Sequence, residues 1–383
     1  MKSTKYLLIN LLCIIQFVYS FKLNNTFNHK SQVNVICELK INFESYSTFY
    51  LASGSVDASM KIWDVTNGKL IYTFEESNGG HSSAVWSLAP LENGYLASGS
   101  GDGTVKIWDI KNGRLKYTFD QSNGSHTSWV ESLVSLENGY LASGSIDHTI
   151  KIWDVMNSKL KYTFNRSNGG HSNWVISLAS LENGFLASGS WDNTVKIWDV
   201  INGKLKFTFD ETNSGHNWWV GSLAALENGL LASGSWDNTV KIWDVRTGKL
   251  KYTFDQSNGG HSISINSLKS LKNGYLASGS GDAIVKIWDI YNGKLRYTFD
   301  RTNGGHGNTV NSLVQLENGY LASGSDDNTI KIWDVTTGKL KFTFDRSNGG
   351  HLNVVRSLAS LKIGFLASAS DDETVKIWDV TSL

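Results

Sequence analysis

Residues 186–200 read LASGSWDNTVKIWDV, and the same letters return unchanged at residues 231–245. The KIWD core of this stretch occurs eight times, each copy 45 residues after the previous one, at Lys61, Lys106, Lys151, Lys196, Lys241, Lys286, Lys331 and Lys376. A length of 383 residues would by itself suggest two or three domains. A constant period of this size indicates instead one array of repeated structural units.

One repeat, residues 81–119, shows what each unit contains: HSSAVWSLAPLENGYLASGSGDGTVKIWDIKNGRLKYTF. Four short apolar or β-rich runs, AVWSLA, YLASG, TVKIWDI and RLKYTF, are separated by the turns ENG, SGDG and NG. Asn-Gly is a strong hairpin signal because it accepts the positive φ values of a tight turn. After the N-terminal leader, no segment shows a sustained helical period. Each unit therefore predicts four antiparallel strands, and eight units predict a radial array.

The unit resembles the WD40 repeat in its histidine after a glycine turn, its Ser-x-x-x-Asp segment and its terminal Trp-Asp. The resemblance covers essentially everything after Phe21. It implies an all-β fold, an eight-bladed β-propeller of four-stranded antiparallel blades that occupies residues 21–383. Blade one would span residues 33–74, and each blade would present its innermost strand to a central channel.

The two ends of the chain predict how the ring closes. The last unit begins at His351 and reaches Leu383 without a counterpart of the KLKYTF strand. Residues 22–27, KLNNTF, supply such a strand before the first unit begins. We therefore predict that this N-terminal strand completes the last blade, which removes an exposed sheet edge.

The first 20 residues predict a signal peptide. Lys2 and Lys5 precede an apolar stretch at residues 6–19, and Ser20 is a small residue before a cleavage site in front of Phe21. The stretch is short and interrupted by polar residues, so we predict no membrane span. Secretion, or residence in the secretory pathway, follows from this interpretation.

A cytoplasmic location is the alternative. The apolar leader can also be a hydrophobic N-terminal strand, and proteins of the family that the repeats resemble are mostly intracellular. Sequons at Asn24, Asn123 and Asn165 would be glycosylation candidates only after export. The two cysteines, Cys13 and Cys37, leave no intrachain disulfide if the leader is removed.

Histidine, serine, aspartate and tryptophan recur together in the second to eighth units. The members in blades two, three and eight are His81, Ser98, Asp102 and Trp108; His126, Ser143, Asp147 and Trp153; and His351, Ser368, Asp372 and Trp378. Ser, His and Asp together suggest a hydrolase triad, but a catalytic site is needed once and no nucleophile elbow accompanies these copies. The WD40 resemblance implies that Trp donates to Ser, Ser contacts His and His contacts Asp. We therefore predict a structural role and no enzyme activity.

Blade one departs from this pattern. Gln32 occupies its aligned histidine position, and His29 is a nearby candidate to replace it. The connection between Leu39 and Leu51 is also four residues longer than its counterparts. We predict that blade one is the least regular.

The differences between near-identical repeats predict where partners bind. Eight of the 15 tryptophans belong to the IWD motifs, and the other seven all lie in blades two to five: Trp86, Trp129, Trp174, Trp191, Trp218, Trp219 and Trp236. Blades seven and eight carry Asp326, Asp371 and Arg356 at corresponding variable positions. In WD40 proteins these positions border a face that commonly receives partners. We therefore predict that these ten residues bind a partner, with an aromatic crescent on blades three to five opposite a polar arc.

The alternative for some of these tryptophans is packing between blades. That alternative stays open for Trp129, Trp174 and Trp219, which precede the first valine of the innermost strand. For Trp191, Trp218 and Trp236 we predict exposure, which suits the anchoring role of tryptophan in interfaces.

Composition excludes several classes of function. Lys+Arg and Asp+Glu both total 35, so no net field attracts nucleic acid or anionic lipid. No metal-spaced Cys/His cluster or phosphate loop is present, so we predict no metal and no cofactor. We predict a monomeric, non-enzymatic scaffold that mediates protein–protein interactions through one face of the propeller. The alternative is a secreted glycan-binding module that uses the Trp-rich face.

Overall fold

The computed structural model describes residues 23–42, 47–362 and 364–382. These residues form 32 β-strands and eleven short 3-10 helices. The predicted signal peptide, residues 1–20, lies outside the described residues.

The strands follow the 45-residue period. The first half of the chain contains β1 (Leu23–Asn28), β2 (Val33–Asn42), β3 (Ser47–Ser55), β4 (Met60–Asp64), β5 (Lys69–Phe74), β6 (Val85–Pro90), β7 (Tyr95–Ser100), β8 (Val105–Asp109), β9 (Arg114–Phe119), β10 (Val130–Ser135), β11 (Tyr140–Ser145), β12 (Ile150–Asp154), β13 (Lys159–Phe164), β14 (Val175–Leu181), β15 (Phe185–Ser190), β16 (Val195–Asp199) and β17 (Lys204–Phe209). The second half contains β18 (Val220–Leu226), β19 (Leu230–Ser235), β20 (Val240–Asp244), β21 (Lys249–Phe254), β22 (Ile265–Leu271), β23 (Tyr275–Ser280), β24 (Val285–Asp289), β25 (Lys294–Phe299), β26 (Val310–Gln315), β27 (Leu321–Ser325), β28 (Ile330–Asp334), β29 (Lys339–Phe344), β30 (Val355–Leu361), β31 (Phe365–Ser370) and β32 (Thr374–Asp379).

The 3-10 helices occupy two kinds of loop. Seven follow the fourth strand of a blade, at Glu76–Asn78, Gln121–Asn123, Arg166–Asn168, Glu211–Asn213, Gln256–Asn258, Arg301–Asn303 and Arg346–Asn348. Four join the first and second strands, at Glu92–Gly94, Glu137–Gly139, Glu182–Gly184 and Glu227–Gly229. The first kind is fixed by local polar contacts. In blade two, for example, the Asp120 carboxylate accepts the Ser122 N–H, and Gly124 takes the left-handed conformation (φ 85°) at the end.

Each blade is a four-stranded antiparallel sheet in sequence order, from β2-β3-β4-β5 in blade one to β26-β27-β28-β29 in blade seven. Blade eight has the order β1-β32-β31-β30, so its outermost strand comes from the N-terminus. In that pairing Phe27 lies opposite Val375. The eight blades and the predicted closure are therefore confirmed, with the closing strand beginning at Leu23 within the described residues.

The core lies between neighbouring blades rather than inside any one of them. The phenylalanine that ends each outermost strand packs against the IWD tryptophan of the next blade; Phe164 and Trp198, for example, have ring centroids 4.3 Å apart. The closing strand makes the same contact, since Phe27 stacks on Trp63 of blade one at 4.4 Å. One blade cannot bury its own apolar face, so every sheet depends on its neighbours.

Serines of the innermost strands add polar contacts between blades. Ser132 Oγ accepts the Leu178 N–H of the next blade at 3.2 Å, and Ser222 Oγ accepts the Leu268 N–H at 3.0 Å. Ser357 of blade eight accepts the Ile36 N–H of blade one at 3.4 Å. The junction between the last and first blades therefore uses the same kind of hydrogen bond as the others.

The antiparallel order places the loops on two opposite faces. The second-to-third strand turns and the loops that lead into the next innermost strand share one face, which we call the upper face. The first-to-second and third-to-fourth strand turns share the other, the lower face. No helix among the described residues has the length and apolar character that crossing a membrane requires.

Blade one is irregular, as predicted. Its extra residues lengthen the first hairpin, so that β2 has 10 residues and β3 has 9, whereas most first and second strands of the other blades have 6 or 7. Residues 43–46, between these two strands, lie outside the described residues.

Candidate interaction surface

The recurring Ser, His, Asp and Trp side chains form a chain of hydrogen bonds. In blade two the Trp108 indole N–H donates to Ser98 Oγ at 2.8 Å, Ser98 Oγ lies 2.7 Å from His81 Nε2, and His81 Nδ1 lies 3.0 Å from Asp102. The same contacts join Trp153, Ser143, His126 and Asp147, and Trp378, Ser368, His351 and Asp372. The structure therefore brings together all the members that the sequence singled out.

Burial and hydrogen bonding determine the protonation states of the histidine and the aspartate in each set. Desolvation lowers the pKa of His81, so its imidazole is neutral at pH 7. Burial raises the pKa of the Asp102 carboxyl, but hydrogen bonds from His81 and Thr104 outweigh it and hold the pKa below its usual range. The aspartate is therefore an acceptor, His81 donates Nδ1–H to it, and Ser98 donates O–H to His81 Nε2.

This arrangement cannot present a nucleophile. Ser98 is 0% exposed, and its Oγ already accepts one hydrogen bond from Trp108 and contacts His81. A substrate carbonyl could reach it only after the blade had opened. The geometry favours a role in holding the second strand, the third strand and the loop above them together.

Blade one also contains the set, and its histidine is His29. His29, not Gln32, contacts Ser53 Oγ through Nε2 at 2.8 Å, and Trp63 donates to the same oxygen at 2.8 Å. The other ring nitrogen lies 3.1 Å from Ser59 Oγ and 3.9 Å from Asp57. His29 lies four residues before Val33, just as His81 lies four residues before Val85, so it occupies the equivalent position, with a longer contact to its aspartate. The alignment of Gln32 with the histidines was wrong, because Gln32 accepts the Val56 N–H as Ala84 accepts the Gly101 N–H.

We expect the stability of the protein to fall as the pH decreases from about 7.5 to about 5.5. Eight of the nine histidines belong to these sets, and desolvation lowers the pKa of each. Below the ordinary histidine pKa of about 6.5, these histidines bind protons in the unfolded chain but stay neutral in the folded chain, so the free energy of unfolding decreases. Urea unfolding at three pH values across this range measures the effect.

The ninth histidine provides the control. His148 is exposed in a turn with φ 71°, and Asn193 occupies the equivalent position in blade four with φ 69°. His148→Asn replaces an exposed side chain and should leave the free energy of unfolding at pH 7.5 within about 0.5 kcal/mol of the native value, whereas His171→Asn should reduce its pH dependence by about one proton. A free energy of unfolding that stays constant between about pH 7.5 and about pH 5.5 would contradict the expectation.

The seven additional tryptophans lie on the upper face. In each blade the N–H of the residue before the turn aspartate donates to the carbonyl of the residue before the innermost strand; Trp236 N and Trp219 O, for example, are 2.9 Å apart. Trp191 and Trp174 make the same contact at 2.9 Å. Two of the variable sequence positions are therefore neighbours at the inner end of each blade.

Five of these tryptophans form one continuous stack in blades four and five. Ring centroids are 4.1 Å apart for Trp174 and Trp191, 3.8 Å for Trp191 and Trp219, and 4.9 Å for Trp219 and Trp236. Trp218 meets Trp219 edge to face at 6.3 Å. Trp86 and Trp129 form a second stack at 5.4 Å between blades two and three. We call these seven residues the tryptophan arc.

Exposure within the arc differs from the sequence expectation at one residue. Trp129, Trp218 and Trp236 are 44%, 53% and 44% exposed, whereas the other four are half-buried. Trp191, for which exposure was expected, lies between Trp174 and Trp219. The residue before the turn aspartate lies between two others. One precedes the innermost strand of the same blade, and the other precedes the innermost strand of the next blade. In blade four both are tryptophans, whereas Ser264 follows Trp236.

The indole N–H groups of Trp86 and Trp191 are buried without a hydrogen-bond partner in the part of the chain that the structure describes. Such a group costs about 1–3 kcal/mol, so the stacking of the rings must offset it. Both residues therefore pack in the arc rather than reaching out from it.

The polar residues opposite are paired within the chain. Arg356 Nε lies 2.9 Å and Nη2 2.6 Å from the carboxylate oxygens of Asp371. Asp326 accepts a hydrogen bond from Asn311 Nδ2 at 2.7 Å. Their role in partner binding stays a prediction, because the structure already satisfies part of their hydrogen-bonding capacity.

The lower face carries exposed apolar side chains that sequence reasoning missed. Met156, Ile201 and Tyr291 are exposed there, each directly after an IWD-Val or IWD-Ile segment. A groove of about 500 Å³, lined in part by Phe185 and Arg246, lies on the same face. Comparing the repeats at the position after this valine or isoleucine would have revealed these residues. No group of described residues has the composition of a metal site.

Comparison with known proteins agrees with this architecture. The family model of the WD domain, G-beta repeat, matches residues 21–64, 68–109, 113–154 and 158–199. The model described as nucleolar protein 10-like, N-terminal domain, matches residues 183–383, more than half of the chain. The crystal structure of the computationally designed Ika8 protein is similar at 29% sequence identity, with a TM-score of 0.76 over 94% of this chain and 100% of that chain. No curated protein sequence matches. The two family models together cover every repeat, and the chain belongs to the WD40-repeat β-propeller family.

Proposed function

We propose that this protein is a non-enzymatic scaffold that binds other proteins through its upper face, with the tryptophan arc as the main contact. The observation that carries the proposal is the exposure of Trp129, Trp218 and Trp236 on one side of that face. WD40 propellers generally bind protein partners. Tryptophan is enriched among the residues that dominate binding energy in interfaces.

The arc is an asymmetric feature of a nearly symmetric ring. At the position before the innermost strand, Trp129, Trp174 and Trp219 of blades three to five are replaced by Ser264, Thr309 and Val354 in blades six to eight. The repeats preserve their packing residues almost without change, so packing alone does not require these indoles. A concentration of indoles on blades two to five has the form of a partner-binding site.

The absence of catalysis is part of the proposal. Its support is the burial of the serines in the recurring sets, because Ser98, Ser143 and Ser368 are all 0% exposed. The same side chains are hydrogen bonded to tryptophan and histidine in each blade. These contacts account for the conserved chemistry of the repeats without a substrate.

We infer an intracellular location, the alternative considered from the sequence. The match to the nucleolar protein 10-like family supports it and suggests a nuclear or nucleolar site. Secretion has no support from the comparisons. The glycan-binding alternative depended on export, and it is therefore not favoured.

Replacing Trp129, Trp218 and Trp236 together by alanine should reduce recovery of the partner protein at least tenfold in affinity capture. The three side chains are exposed, so their truncation leaves little cavity and should change the melting temperature by less than about 4 °C. Capture from both lysate and medium, followed by mass spectrometry, measures recovery and shows where the protein resides.

The lower face offers a matched control. Met156→Ala, Ile201→Ala and Tyr291→Ala also remove three exposed apolar side chains, and this variant should retain the partner. Loss of capture in the lower-face variant alone would contradict the proposal. Loss of capture after glycosidase treatment of the ligand would support the glycan alternative instead.

A further inference from the structure

Two positions face each other at the inner rim of the upper face. One is the bulged residue after the first residue of the innermost strand, where the register shifts in every first hairpin; Asn311 and Arg356 occupy it in blades seven and eight. The other is the turn residue before the conserved aspartate, Asp326 or Asp371. We call these the bulge position and the turn position.

Contacts in several blades show that the two positions meet. Arg356 forms a two-point ion pair with Asp371, and Asn311 donates to Asp326 at 2.7 Å. In blade five a Cβ added to Gly221, at the bulge position, would lie 3.5 Å from the indole nitrogen of Trp236 at the turn position. The bulge position and the turn position of a blade therefore face each other whether the residues there are polar or apolar.

In blade three the bulge position holds an acidic residue, and the residue at the facing turn position has no charged or hydrogen-bonding side chain. Glu131 occupies it, and the turn position holds Ile146, whose N–H donates to the Trp129 carbonyl at 3.1 Å as in the other blades. Glu131 is half-buried, and its carboxylate makes no hydrogen bond or ion pair with the described residues. Burial raises the pKa of its carboxyl, and no neighbouring charge acts on it. A desolvated carboxylate of this kind is costly unless a cation or a hydrogen-bond donor reaches it.

Aromatic residues occupy neighbouring positions on the same face. Trp129 directly precedes β10, the strand that contains Glu131, and Trp86 occupies the bulge position of blade two. Their rings stack at 5.4 Å and 14°, and Trp129 remains 44% exposed. Tryptophan faces attract cations, and a guanidinium can stack on an indole while it pairs with a carboxylate.

We infer that Glu131 and Trp129 bind a lysine or arginine side chain that a partner protein inserts at the inner rim of blade three. The inference rests on the proposed function and names the chemistry of the group that the upper face receives. Blade eight contains the intramolecular counterpart, in which an arginine of the chain itself already pairs with the carboxylate at the facing position. In blade three the chain supplies the carboxylate and the aromatic ring, and the partner supplies the cation.

A titration with short peptides tests the inference without the partner. The probes are acetylated, amidated pentapeptides of glycine with a central Arg, Lys or Gln, and the signal is the indole resonance of Trp129. The Arg and Lys peptides should bind the folded protein, and Glu131→Gln should weaken their binding about tenfold or more. The Gln peptide should bind neither protein. Glu131→Gln removes a desolvated charge, so it should fold at least as well as the native chain.

A matched variant isolates the position of the charge. Glu137→Gln removes the same charge from an exposed site on the lower face of the same blade, and it should leave peptide binding unchanged. The inference is overturned if the Arg peptide binds neither protein, binds the native chain and Glu131→Gln equally, or binds no better than the Gln peptide.

The two proposals fail in distinguishable ways. If the triple tryptophan variant loses the partner while Glu131→Gln keeps both partner and peptide, the upper face binds proteins but the cation site does not exist. If the Arg peptide binds in a Glu131-dependent way while the triple variant retains the partner, the cation site exists and the partner uses another surface.

Discussion

Replacing Phe27 by alanine should destabilise the protein by about 3–5 kcal/mol and should also cause it to self-associate. Phe27 is buried, stacks on Trp63 of blade one and lies on the strand that completes blade eight. Its truncation removes a core ring and weakens the hold of β1 on β32. When β1 detaches, the edge of β32 becomes available to another copy of the chain. Chemical unfolding measures the first effect, and light scattering over a range of protein concentrations measures the second.

A second phenylalanine separates these two effects. Phe164 makes the equivalent stack on Trp198, but its strand, β13, is covalently continuous with blade three. Phe164→Ala should lose a similar free energy of unfolding and remain monomeric. Thr26→Ala, at an exposed site next to Phe27, should change neither quantity. If Phe27→Ala were as stable and as monomeric as the native protein, the closing strand would contribute nothing to the ring.

Replacing Ser188 by alanine should cost about 2–5 kcal/mol, because it leaves two buried groups without a partner. The Ser188 hydroxyl accepts the Trp198 indole N–H at 2.9 Å and contacts His171 Nε2 at 2.7 Å. Alanine fits the same space, so the loss comes from hydrogen bonding rather than from a cavity. The free energy of unfolding in urea, compared with that of the native chain, measures the effect.

Ser172 of the same blade provides the control. It is exposed, and its contact to Asp192 uses the backbone N–H, which alanine retains. Ser172→Ala should therefore leave the free energy of unfolding within about 0.5 kcal/mol of the native value. Equal stabilities for Ser188→Ala and the native chain would mean that the recurring sets do not hold the blades together.

The repeats made the fold predictable because eight copies show the same pattern of strands and turns. A segment that is ambiguous in one copy can be interpreted from the other seven. The 45-residue period, the missing final strand and the KLNNTF segment together determine the ring and its closure. His29 was identified as a candidate because it lies close to the position that Gln32 occupies. Each of these conclusions depends on spacing along the chain, which a sequence states directly.

The candidate site was harder to predict because exposure depends on the neighbouring blade. Trp191 and Trp236 occupy identical sequence contexts, LASGSWDNTVKIWDV, yet one is enclosed and the other is open. The difference lies in Trp219 and Ser264, which belong to the following blades. The pairing of Arg356 with Asp371 and the isolation of Glu131 likewise depend on which positions face each other across a hairpin.

The junction between blades eight and one has a consequence for how the chain can be cut. Phe27 on Trp63 and Ser357 on Ile36 reproduce there the contacts found at the other junctions. The junction between blades eight and one is therefore equivalent to the other seven junctions of the ring. A circular permutant in which a turn joins β32 to β1, and which is opened in another loop, would keep every inter-blade junction.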